Sequence, residues 1–99
     1  MDVISQKAPR EFAEVHADAA SPLRAWFKLA RHGRFLNLAE LKRTFGSVDL
    51  VPVKGRSFYV FNIYGNTYRL MTAINFNTQR LFVRRILTHA EYDTERWKL

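Results

Sequence analysis

Apolar positions recur with two different periods along this chain, and the change falls at Gly46. Before it the spacing is helical. Leu23, Trp26, Phe27 and Ala30 recur three and four residues apart, which predicts one buried helical stripe. Ser21-Pro22 opens that helix with Pro22 at its first helical position, and Gly33 ends it. An earlier helix is expected from a cap at Ser5 through Phe12 and Val15, with Pro9 tolerated near its first turn. Asn37-Leu-Ala-Glu40 has capping-box spacing and predicts a short third helix carrying Leu38, Leu41 and Phe45.

After Gly46 the period becomes two. Strands are expected over Val48–Val53, Phe58–Ile63, Thr67–Phe76 and Arg80–Thr88. Turns at Lys54-Gly55-Arg56, Tyr64-Gly65-Asn66 and Asn77-Thr78-Gln79 join them, and a final helical turn or two covers Ala90–Trp97. The fold class is therefore α+β: N-terminal helices packed on one face of a four-stranded antiparallel sheet, with a short C-terminal helix. In the third strand Tyr68, Leu70, Thr72, Ile74 and Phe76 form the more apolar set and belong beneath the helices. Arg69 then projects from the opposite face, which is left free to work. In the fourth strand Arg84 shares a face with Phe82 and Ile86, and Arg85 with Val83 and Leu87. Periodicity does not choose between them, but at least one must leave the core, because an unpaired buried guanidinium is very costly.

With 99 residues and no internal repeat, the chain reads as one domain over residues 1–99. There is no cysteine, so neither a disulfide framework nor a thiolate metal site is available, as suits a reducing cytoplasm. The first residues lack the apolar stretch of a signal peptide, and no run approaches a membrane span. Charge adds more. The net charge is +7, and residues 1–49 are nearly balanced, with eight Lys/Arg against six Asp/Glu. Leu50 to Ala90 holds Lys54, Arg56, Arg69, Arg80, Arg84 and Arg85 and no acid at all. Such a segment sustains a positive potential and favours a nucleic acid as partner.

The stretch FVRRILTHAEYD, residues 82–93, concentrates the candidate chemistry. A lone strand arginine is ordinarily a surface cation, a lone His89 a structural histidine, and a lone Tyr92 a core aromatic. Together they read differently. His89 and Tyr92 sit three residues apart where a strand becomes a helix, so both can face one point. Histidine moves protons near neutral pH, tyrosine can donate one, and arginine stabilises charge developing on a phosphate oxygen. These are the parts needed to attack an RNA phosphodiester with its own 2′-hydroxyl. Glu91 and Asp93 either orient His89, bridge to nearby arginines, or simply sit in the first turn of a helix, where its dipole favours them. His16 and His32 lack carboxylates at metal-ligand spacing and are expected to face solvent. No glycine-rich phosphate loop or serine-nucleophile elbow is present. The rival readings are a basic RNA- or ribosome-binding module without catalysis, and a structural partner that uses the sheet for protein contacts.

Several longer motifs carry a family resemblance. Asp18 to Trp26, Phe35 to Phe45, VFNIYGNTYRLMTAINF from Val60 to Phe76, and FVRRILTHAEYD followed by Trp97-Lys98 together span nearly the whole chain. On these the chain resembles the HigB family of type II toxin–antitoxin systems, messenger-RNA endonucleases with a RelE-like fold. The resemblance implies cleavage of translated mRNA on the ribosome without metal or cofactor, and a HigA-like antitoxin that silences the toxin. It implies a catalytic group of Arg69 in the Y-R-L of the third strand, Arg84 in the V-R of the fourth, and His89 and Tyr92 in T-H-x-E-Y-D. Lys54, Arg56, Arg80 and Arg85 are then assigned to RNA binding. Thr67 and Tyr64 depart from the family pattern, which usually has lysine and a small residue there, and Pro9 is unusual in the first helix.

Overall fold

A computed structural model describes residues 1–4 and 7–98. The helix cap expected at Ser5 lies outside these. Four helices are described, α1 (Lys7–Val15), α2 (Ala20–His32), α3 (Leu38–Thr44) and α4 (His89–Asp93). Turns of 3-10 helix lead into α2 at Ala17–Ala19 and follow α4 at Arg96–Lys98. The strands are β1 (Asp2–Ile4), β2 (Asp49–Val53), β3 (Arg56–Ile63), β4 (Tyr68–Asn75) and β5 (Arg80–Thr88).

The period change at Gly46 separates helices from the meander as expected, but the sheet has five strands in the order β1-β5-β4-β3-β2, not four. The extra strand is the N-terminal segment, which pairs in parallel with β5 at Asp2–Arg80, Val3–Leu81 and Ile4–Phe82. The sheet is therefore mixed rather than antiparallel. Three residues are too few to show a period, and their partners lie far along the chain, so local pattern carried no signal for β1. The remaining pairings are antiparallel.

The predicted stripe of α2 packs down on the sheet: Leu23, Trp26 and Ala30 are buried, with Trp26 edge-on to Phe61 at 5.3 Å. Leu41 from α3 joins them at 0 % exposure, and Phe45 meets Phe61 edge-on at 5.0 Å. From the sheet come Phe61, Ile63, Tyr68, Leu70, Leu81 and Val83. Full burial of each large apolar side chain contributes roughly 1.5–3 kcal/mol. Caps explain some of the helix boundaries, but not the start of α2, which begins at Ala20 behind Ala19 without a side-chain cap, so Pro22 is its third residue and not its first. Asn37 sits extended and its side chain accepts from the Glu40 amide at 3.0 Å, so α3 opens where its sequence predicted. Gly33 follows α2 for a reason other than a left-handed turn, since its φ is −83°. A Cβ there would run into the Phe35 ring, so the close approach of that ring favours glycine.

Two of the expected turns show where the backbone takes positive φ. In the β3–β4 hairpin positive φ falls at Tyr64 (55°) and Gly65 (62°), not at Asn66. Lys54 (50°) and Gly55 (79°) form the two-residue connection of β2 and β3, the backbone twist such hairpins favour.

Strand β4 divides as the alternation predicts: Leu70 is fully buried in the core while Arg69 is half-exposed on the other face. That other face is not bare. Cross-strand partners Val60 and Met71 are each 2 % exposed yet lie outside the main core cluster. The paired arginines of β5 have a structural answer. Met71 lies opposite Arg85 and Thr72 opposite Val83, so Arg84 is an extra residue in a β-bulge. The bulge lets Val83 and Ile86 both reach the core while Arg84 and Arg85 both stay exposed.

Candidate active site

The candidate site lies where the β3–β4 hairpin meets the junction of β5 with α4. That junction is locally determined. Thr88 caps α4 by accepting from the Glu91 amide at 3.1 Å, and Glu91 Oε1 accepts from the Thr88 amide at 2.9 Å. This is a complete capping box, and the T-x-x-E spacing of Thr88 and Glu91 is its signature in the sequence. These bonds also hold the Glu91 carboxyl below its ordinary pKa, chiefly through the Thr88 backbone and then its hydroxyl. The His89 amide donates to Thr67 O at 2.9 Å, which fixes the start of α4 against the hairpin.

Arg69 projects from β4 into this corner. Its Nη1 donates to Asn66 O at 2.8 Å and to Tyr68 O at 3.3 Å, and its Nη2 lies 3.1 Å from His89 Nδ1. A guanidinium has no acceptor, so Nδ1 must present its lone pair. The other ring nitrogen, Nε2, then carries the proton and donates to Asp93 Oδ2 at 3.0 Å. The imidazole is thus held in one tautomer between a cation and a carboxylate. Arg69 also lies over the Tyr92 ring, 5.6 Å from its centroid. Tyr92 stacks on Trp97 at 5.0 Å and 15°, and Trp97 Nε1 donates to Tyr92 O at 2.8 Å. The C-terminal turns therefore fold back onto the sheet face that the sequence left open. Burial raises the Tyr92 pKa above its ordinary value, and Asp49 raises it further against opposing pulls from Arg69 and Lys98. Tyr92 is held as a neutral phenol, fit to donate a proton and poorly suited to accept one.

The description of a family model, "RelE-like toxic component of a toxin-antitoxin system", matches residues 19–95. The mRNA interferase toxin HigB of Escherichia coli strain K12 is 33 % identical over 93 residues, covering 94 % of this chain and 88 % of the relative. The mRNA interferase HigB of Shigella flexneri aligns with the same identity and coverage. That of Escherichia coli O6:H1 is 30 % identical over 94 % of this chain and 89 % of the relative. The chain belongs to the HigB toxin family. No helix among the described residues is long and apolar enough to cross a membrane. No group of three or more His, Asp or Glu able to hold a metal ion lies among them.

Within this HigB-family chain, the residues singled out from sequence fall into separate places. Arg69, His89 and Tyr92 come together. Arg84 lies at the bulge with its guanidinium 5.4 Å from the Phe82 ring, and Arg85 stands opposite Met71. Since Arg69 pairs with Leu87, Arg85 and Arg84 stand two and three residues back along β5 from it. Arg80 pairs with Asn75 at the opposite end of the β4–β5 ladder, and Arg56 begins β3 at that same end, one residue beyond Lys54-Gly55. Eight residues of strand place that end about 26 Å from Thr88. The acid-free segment is not acid-free in space either. Asp49 acts on Tyr92, Asp93 on His89, and Glu91 heads α4.

Other residues at the candidate site were left open or missed by the sequence reading. Asp93 orients His89, a role left open beside the helix-dipole one. Asp49 gave no signal, because it reaches the site only through the pairing of β2 with β3. His16 was expected to face solvent, but it is half-buried and stacks on Phe12 at 4.3 Å. His32 is exposed as expected.

Proposed function

We propose that this protein is the toxin of a type II toxin–antitoxin pair, a cytoplasmic endoribonuclease that cuts translated mRNA on the ribosome and is silenced by a HigA-like antitoxin. The observation that carries the reading is the Arg69–His89–Asp93 relay beside a neutral Tyr92. A phosphate of the RNA draws the Arg69 guanidinium, which frees His89 Nδ1 from its cation. Nδ1 then takes the proton of the 2′-hydroxyl while Nε2–H stays on Asp93. The 2′-oxygen bonds to phosphorus and the bond to the 5′-oxygen breaks. Tyr92 donates its phenolic proton to the leaving oxygen. Arg69 and Arg84 stabilise the charge that develops on the phosphate, and Lys54, Arg56, Arg80 and Arg85 hold the flanking backbone. No metal or cofactor takes part in these steps.

The products are a 2′,3′-cyclic phosphate and a 5′-hydroxyl. Purified toxin in a cell-free translation reaction should give mRNA fragments with these ends, and a 2′-deoxy nucleotide at the cut should abolish them. Fragments ending in a 3′-hydroxyl would overturn the mechanism. A rival binding module without catalysis would leave the mRNA whole while losing affinity on substitution of His89.

A further inference from the structure

Beside His89 lies an open groove of about 560 Å³, lined by His16, Asn66, Thr67, Tyr68, Thr88 and His89. Its wall is aromatic and braced. Phe12 stacks on His16 at 4.3 Å and 26° and meets Tyr68 edge-on at 5.0 Å, while His16 and Tyr68 lie 5.3 Å apart. Tyr68 is anchored in turn by its hydroxyl, which donates to Asp18 Oδ1. Glu91 is the acid that feels His16, and His89 stands across the groove. At the rim, Asn66 is exposed on the hairpin tip. Its Oδ1 accepts from Asn62 Nδ2 at 3.0 Å, which orients the amide and leaves both Nδ2 donors and one Oδ1 lone pair for a ligand. The same hairpin tip holds Arg69 through Asn66 O and His89 through Thr67 O. Whatever occupies the groove is thereby in register with the reaction centre.

Single-stranded RNA is recognised by stacking unpaired bases on aromatic rings and hydrogen-bonding their edges. We propose that this groove is a nucleotide subsite: the base beside the reacting phosphate stacks on His16 and accepts a hydrogen bond from Asn66 Nδ2. The Nδ2 donors of Asn66 favour bases that present an acceptor at that edge. The proposal rests on the nuclease reading and adds the element that chooses where the RNA is cut.

The test measures cleavage rate against mRNA concentration in a translation reaction, with messages differing only at the nucleotides flanking the cut. His16→Ala should raise KM about five- to 150-fold, the loss of one base–aromatic stack, with kcat kept within about two-fold. His16→Phe should restore KM. Asn66→Ala should flatten the preference among the four nucleotides at one flanking position, and its exposed place on the hairpin tip keeps the test open if His16→Ala does not fold. Unchanged KM and an unchanged cut-site profile in folded variants would overturn the subsite and leave the nuclease reading standing. Absence of any cleavage by the wild-type protein would overturn both.

Discussion

Strand β5 contains two unlike halves. From Arg80 to Phe82 it is paired on both sides, with β4 and with β1, and Leu81 is fully buried. Beyond Phe82 the described residues of β1 offer it no partner, the bulge at Arg84 breaks its register, both arginines are exposed, and it ends in the capped turn that presents His89. One half is held in place by partners on every side. The other is freed from one neighbour and re-aimed by an extra residue. Packing and the candidate site are thus separated along a single strand, and the proposed catalytic side chains gather where the sheet is incomplete.

The sharpest way to break this comparison is to substitute the two halves in turn. His89→Ala should lower the cleavage rate about 10²- to 10⁴-fold, as expected for loss of a proton-transfer group. Arg69→Ala should cost about 10²- to 10³-fold, as for loss of a charge-stabilising donor. Both variants should melt near the wild-type temperature. Arg80→Ala, about 26 Å away by strand length, should leave kcat alone and weaken RNA binding with a shallower salt dependence. Equal losses of kcat at Arg80 and Arg69 would erase the distinction.

The paired half should answer to stability instead. Leu81→Ala removes a fully buried side chain and should cost about 2–5 kcal/mol in denaturant unfolding. Val83 lies opposite Thr72 beside the bulge, so its truncation should act on the fold first and on cleavage second.

At the bulge, Arg84→Ala and Arg85→Ala sharpen the assignment of the second cation. Arg84→Ala should lower kcat, while Arg85→Ala should raise KM and remain toxic on induction. The reverse pattern would move the phosphate contact to Arg85, which stands one residue nearer the Arg69–Leu87 pair.

Smaller effects belong to the capped turn and its support. Thr88→Ala should cost about 0.5–2 kcal/mol and loosen His89. Glu91 titrates below its ordinary 4.5 in the folded protein, so its contribution is present above that pH and fades as pH falls through the lowered value. Tyr68 runs the other way. The Asp18 hydrogen bond, then burial, raises its pKa from 10.0 to about 12. Its contribution is complete below pH 10 and is lost as pH rises toward 12, and Asp18→Asn should shrink that alkaline loss.

The sequence by itself determined the helical stripe of α2, the cap at Asn37, the antiparallel meander and the opposite facing of Leu70 and Arg69. Each of these follows from a period or a spacing within a few residues, where backbone geometry alone decides which side chains share a face. It also brought Arg69, His89 and Tyr92 forward, because reactive residue types stood together at a strand exit. The remainder belonged to the tertiary structure. Strand β1 finds its partner nearly eighty positions away. The bulge that exposes two adjacent arginines exists only in the pairing of β5 with β4. Asp49, His16 and Asn66 reach the site through the β2–β3 pairing, the seating of α1 and the closure of a hairpin. The cations that looked like one patch lie at opposite ends of a sheet, because charge counted along a chain carries no distance in space.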